Sequence, residues 1–70
     1  MTAGLVKRSF SLTGHRTSVA LEPEFWDALR AMAASRGQTL SALVAEIDAV
    51  RAPERSLASA LRVVALLARR

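Results

Sequence analysis

The sequence contains no cysteine. That absence removes disulfide frameworks, thiolate metal sites and cysteine nucleophiles together, and it fits a reducing cytoplasm. No apolar run approaches the roughly 20 residues of a membrane span. The first residues, Met1 to Arg8, hold no apolar stretch of signal-peptide length. A soluble, cytoplasmic chain is therefore expected. Histidine occurs once, as His15. A lone histidine with no carboxylate pair beside it is a poor metal site, so neither a metal nor another cofactor is expected. The chain also lacks a nucleophile–base pair, a carboxylate couple at useful spacing and a glycine-rich phosphate loop. These gaps argue against an enzyme and against a small-molecule substrate.

Acidic residues are missing from the first 21 positions, which carry Lys7, Arg8 and Arg16 for a local charge of +3. Residues 22–50 reverse the sign at −3, and residues 51–70 return to +4, giving the net +4 of the whole chain. A basic N-terminal segment ahead of acidic helices suits a polyanion such as DNA. The same pattern is also what a solvated small alkaline protein would show.

Seventy residues make one small domain, near the size where a single hydrophobic core is marginal. Of the 36 apolar residues 14 are alanine, leaving 22 larger ones. That is a thin supply for a monomer with no disulfide or metal, and self-association is the natural remedy.

Periodicity divides the chain. Thr17, Val19 and Leu21 alternate with Arg16, Ser18 and Ala20, which predicts a strand over 16–21 with the second set facing outward. Residues 1–14 read either as a basic arm or as an extra extended segment. Val6, Arg8, Phe10 and Leu12 alternate there with Lys7, Ser9, Ser11 and Thr13, but Arg8 breaks the apolar face. Thr13-Gly14 is a plausible turn. Pro23 suits the first position of a helix over 23–36, whose stripe is Phe25, Leu29, Met32 and Ala33, widened by Trp26 and Ala28. Gly37 ends it. Thr39 caps a second helix over 40–51 with a single stripe of Leu40, Leu43, Val44, Ile47 and Val50, stopped at Ala52-Pro53. Ser56 opens a third helix over 56–68, apolar on most sides and so in want of burial on most sides, in so small a chain against a partner subunit. A lone strand would need a partner for its backbone groups as well.

Arg16-Thr17-Ser18-Val19-Ala20-Leu21, then Glu22-Pro23-Glu24-Phe25-Trp26-Asp27-Ala28-Leu29, then Gly37-Gln38-Thr39-Leu40-Ser41-Ala42-Leu43 resembles the ribbon-helix-helix (Arc/MetJ-type) superfamily. The Gly14-His15-Arg16-Thr17-Ser18-Val19 stretch looks like a short bacterial subgroup of it. The resemblance implies a mainly α fold with one short β-strand, in which two chains pair their strands antiparallel and interlock helices as a homodimer. The core of residues 15–50 would then carry a two-stranded intermolecular ribbon into the major groove of double-stranded DNA, with a C-terminal helix packing on the dimer.

On that reading the base-contacting side chains are Arg16, Ser18 and Ala20. Arginine can bond bidentately to guanine, whereas an alanine reads little beyond a thymine methyl. Phosphate contacts are expected from Thr39, Leu40 and Ser41 at the start of the second helix, and from Lys7, Arg8 and His15. The same residues could equally be a solvated tail and an ordinary helix cap. The dimer core is expected to comprise Val19, Leu21, Phe25, Leu29, Leu43, Val44 and Ile47. The leading expectation is a small dimeric transcriptional regulator. The competing one is a protein-interaction or assembly module, antitoxin-like, with weak or no DNA binding. Association of the third helix with a membrane surface through Arg62, Arg69 and Arg70 ranks below both.

Overall fold

A computed structural model describes residues 4–68. Residues 1–3 of the expected basic arm, and Arg69 and Arg70, lie outside the described residues. Two strands lead the fold, β1 (Val6–Leu12) and β2 (His15–Leu21), followed by helices α1 (Pro23–Ser35), α2 (Leu40–Val50) and α3 (Leu57–Ala68).

The expectation of a single strand is corrected here. β1 and β2 form a two-stranded antiparallel hairpin within one chain, in a seven-pair register from Val6↔Leu21 to Leu12↔His15. The turn is Thr13 at φ 45 and Gly14 at φ 86. Positive φ at both central residues is the type I′ geometry, whose twist matches that of the strands it joins. Gly14 adopts it freely, whereas β-branched Thr13 does so under strain. Arg8, which interrupts the apolar face of β1, does not unmake the strand. Its guanidinium lies 5.8 Å from the centre of the Trp26 ring, so its charge sits over an aromatic face at the sheet's edge.

Local chemistry sets each helix. Pro23 opens α1, and Glu22 caps it without a side-chain bond because its carboxylate reaches Arg62 Nε at 3.1 Å instead. At the other end the Gln38 N–H donates to the Ala33 carbonyl and the Gly37 N–H to that of Ala34, with Gly37 at φ 68. This is a Schellman closure and needs a residue that tolerates the left-handed region. Thr39 Oγ1 accepts from the Ala42 N–H at 3.0 Å to cap α2, and Ser56 Oγ accepts from the Ser59 N–H at 3.1 Å ahead of α3.

One core joins all five elements. Phe10 and Leu12 of β1 meet Val19 and Leu21 of β2, Trp26, Leu29 and Ala33 of α1, Leu43, Val44 and Ile47 of α2, and Ala60, Leu61 and Ala65 of α3. The partner expected for the third helix is thus largely its own chain. Ala60 and Ala65 let α3 approach closely while Leu61 fills the centre, fully buried. Val19, Leu21, Leu29, Leu43, Val44 and Ile47, expected in a dimer core, are buried within the single chain. Phe25, expected in the same dimer core, is less enclosed by its own chain. It is only half-buried, with the Arg62 guanidinium 5.9 Å from its ring centre, while neighbouring Trp26 takes the interior position. Trp26 gains it through two contacts, the Phe10 ring at 5.8 Å and an Nε1–H donated to the Val6 carbonyl at 2.7 Å. Burying Phe10 and Leu12 contributes about 3–6 kcal/mol, which fixes β1 to the fold.

Candidate nucleic-acid interface

The hairpin has an inner and an outer face. In a two-residue hairpin the pair flanking the turn exchanges backbone bonds, and bonded and unbonded pairs alternate from there. Leu12↔His15, Phe10↔Thr17, Arg8↔Val19 and Val6↔Leu21 are therefore the bonded pairs, and their side chains point toward the helices. Ser11↔Arg16, Ser9↔Ser18 and Lys7↔Ala20 are the close, unbonded pairs on the outer face. All six are exposed except Ala20, which is half-buried. Side chains of unbonded pairs stand closest together, and these touch. Ser9 Oγ and Ser18 Oγ are 3.1 Å apart, and Arg16 Nη1 donates to Ser11 Oγ at 3.3 Å.

The charge on this face is unopposed. Elsewhere four arginines are matched at the surface, Arg30 with Asp27, Arg36 with Glu46, Arg51 with Asp48 and Arg62 with Glu22, while Arg55 donates only to the Ser59 hydroxyl. Such exposed pairs add little stability but cancel local field. Among the described residues no carboxylate lies within ion-pair distance of Lys7, Arg8 or Arg16, and the hairpin itself contains no acid. A two-stranded ribbon of this kind fits the major groove, which is about 12 Å wide, and offers hydroxyl and guanidinium donors to base edges.

The sequence-derived candidates fall in three places. Arg16 and Ser18 lie together on the outer face with Ala20 beside them. Lys7 and Arg8, grouped as phosphate contacts, stand on opposite faces: Lys7 outward, Arg8 inward over Trp26. His15 is exposed at the turn end, opposite Leu12. Thr39, Leu40 and Ser41 form the N-terminal turn of α2, apart from the strand face, with the Thr39 hydroxyl occupied as the cap. Ser9 and Ser11 were not among the candidates. The alternation of 6–12 carried the signal, but it has meaning only once β1 is known to pair with β2.

A basic two-stranded hairpin followed by three helices closed over one core defines a class of small hairpin-and-helix domains. Within that class the chain belongs to the ribbon-helix-helix domain family, whose pattern it matches over residues 5–68. No curated protein and no solved structure matches it. The family is typically one of DNA-binding regulators and antitoxins, on a fold that is not enzymatic. Among the described residues no helix is long and apolar enough to cross a membrane.

Proposed function

We propose that this protein is a homodimeric DNA-binding regulator that presents the outer face of its β-hairpin to the major groove. The observation that carries the reading is the acid-free hairpin, where Lys7 and Arg16 flank Ser9, Ser11 and Ser18 with no carboxylate to neutralise them. Arg16 is the principal base-reading group and Ser18 a second, while Ala20 reads little. Backbone N–H groups of Leu40 and Ser41, with Arg8 and His15, hold phosphates and set orientation. A second copy supplies the two-fold symmetry usual for such regulators. Val50, Val63, Leu66 and Leu67, all exposed apolar side chains, offer it a surface.

The test is binding of the purified chain to a randomised duplex pool across a salt series. Affinity should fall steeply with salt, and Arg16→Ala should cost sequence preference worth about 1–3 kcal/mol. The same exposed apolar side chains favour a second reading, an interaction module of the antitoxin kind. Absence of DNA binding even at low salt, with self-association intact, would establish that alternative.

A further inference from the structure

We infer that two chains join through the open edge of β2 in one register, Ser18 against the partner's Ser18 and Arg16 against the partner's Ala20. That register sets the two Arg16 positions about 14 Å apart along the shared ribbon. It rests on the homodimeric DNA-binding reading above and deepens it. The resemblance implies a ribbon with one strand from each chain; the register and the spacing come from this chain's own residues.

β1 determines which backbone groups are on offer. The bonded pairs turn the N–H and C=O of His15, Thr17, Val19 and Leu21 toward β1, so those of Arg16, Ser18 and Ala20 point to the opposite edge. Among the described residues no turn, loop or cap bond reaches these groups. β1 therefore answers one edge of β2 and leaves the other open, and an open edge is a template for another strand. Phe10 and Leu12 hold β1 in the core, so the free set stays the same when a partner arrives.

The outer edge of β1 is the poorer candidate. Lys7, Ser9 and Ser11 are free there by the same alternation. Pairing that edge with its copy would bring Lys7 and Arg8 of both chains onto adjacent strands, and like charges oppose pairing. β2 carries no charge from Thr17 to Leu21.

Strand length selects the register. β2 runs His15–Leu21, with Ser18 at its middle. A two-fold axis at Ser18 pairs the whole strand with its copy and uses every free group. An axis at Thr17 would set Ala20 against the partner's Gly14, which lies in the turn. An axis at Val19 would set Arg16 against the partner's Glu22, beyond the end of the strand and already held by Arg62. The Ser18 axis also places half-buried Thr17 opposite the partner's Val19, a pair of β-branched side chains suited to adjacent strands. On the outer face the axes at Thr17 and Val19 would separate the two Arg16 positions by about 7 and about 20 Å, against about 14 Å for Ser18. The last distance spans about three to four base pairs at about 3.4 Å of rise per pair.

The chain has no cysteine, so single substitutions report the register by disulfide formation under mild oxidation. Paired strands bring Cα atoms to about 5.5 Å, within disulfide reach. Ser18→Cys should give a covalent dimer by itself. Arg16→Cys should give one only when mixed with Ala20→Cys, and far-UV circular dichroism checks the fold of each variant. Preferential linkage of Arg16→Cys to Ser18→Cys, or of Ser18→Cys to Ala20→Cys, would overturn the register in favour of an axis at Thr17 or Val19. A dimer in sedimentation that links at none of these positions, or a chain that stays monomeric, would overturn the edge pairing itself. Selection of the wild type and Arg16→Ala from a randomised duplex pool tests the spacing. The wild type should recover an inverted repeat whose two Arg16-dependent positions lie about three to four base pairs apart, and a separation of six or more would overturn it. A covalent Ser18→Cys dimer alongside a wild type with no DNA affinity at low salt would leave the register standing and remove the DNA-binding reading.

Discussion

Replacing Trp26 by phenylalanine tests how the hairpin is fastened to the helices. The indole is 1% exposed, packs on Phe10 and donates Nε1–H to the Val6 carbonyl. Phenylalanine keeps a ring against Phe10 but cannot donate. The lost bond costs about 1 kcal/mol. The smaller ring leaves unfilled space worth roughly another 1–2 kcal/mol. A total near 2–3 kcal/mol is a large part of the about 4–10 kcal/mol available to a domain of this size. With a urea dependence of about 1 kcal/mol per molar, the midpoint should fall by roughly 2–3 M. The assay is urea unfolding followed by far-UV circular dichroism, because Trp26 is the only tryptophan and the substitution removes the fluorescent probe. Phe25→Ala, at a half-buried position, should cost less than Trp26→Ala, for which about 3–5 kcal/mol is expected. A loss under 0.5 kcal/mol for Trp26→Phe, or Phe25→Ala proving the costlier alanine substitution, would refute the placement of Trp26 as the interior aromatic.

Thr13→Asn should stabilise the chain by about 0.5–1 kcal/mol, read as a raised urea midpoint, because asparagine tolerates the positive φ that a β-branched residue resists. Destabilisation would count against the type I′ turn. The Glu22 carboxyl is held below its ordinary 4.5 by its own backbone N–H and by the Arg62 guanidinium. A lowered folded pKa stabilises the fold above the ordinary value, and that contribution is lost as pH falls through the lowered one. Unfolding curves of Glu22→Gln should therefore show a small deficit at neutral pH that closes in acid, and a constant deficit would argue against the Arg62 contact. Leu67→Lys should weaken self-association in sedimentation experiments while leaving the urea midpoint within about 0.5 kcal/mol, as expected for an exposed side chain; a dimer unaffected by it uses another surface.

Much of this architecture is legible in the residues themselves. Period-two alternation marks 16–21, Pro23 and Gly37 bracket α1, and Thr39 and Ser56 announce the next two helices with hydroxyls that the structure uses as caps. Each of these is a local signal, decided within a few residues. What escaped is non-local. β1 looked doubtful because Arg8 falls on its apolar face, and only the position of Trp26, eighteen residues on, gives that charge an aromatic surface to lie on. Helical spacing likewise cannot rank Phe25 against Trp26, since adjacent positions both border the stripe. The choice is made by Phe10 and Val6 in a strand that periodicity alone left open. For the candidate site, the outward set Arg16, Ser18 and Ala20 follows from alternation, whereas Ser9 and Ser11 join it only through the register.

The hairpin also changes what a second copy is for. A thin apolar supply and a lone strand each call for one, the first for burial and the second for backbone pairing. Within one chain β1 answers the pairing, and α3 answers most of the burial through Ala60, Leu61 and Ala65. What α3 leaves uncovered is a modest apolar strip, Val63 and Leu67 one turn apart, with Val50 of α2 79% exposed across the groove between the helices. Burying three or four such side chains stabilises an association far less than sharing a whole core would. A dimer built on this strip should dissociate on dilution to leave folded monomers, whereas chains that share a core unfold as they separate. Dilution followed by both sedimentation and circular dichroism distinguishes the two. Helicity that persists after the chains part supports a core closed within one chain, and helicity lost in step with association would show that the partner completes it.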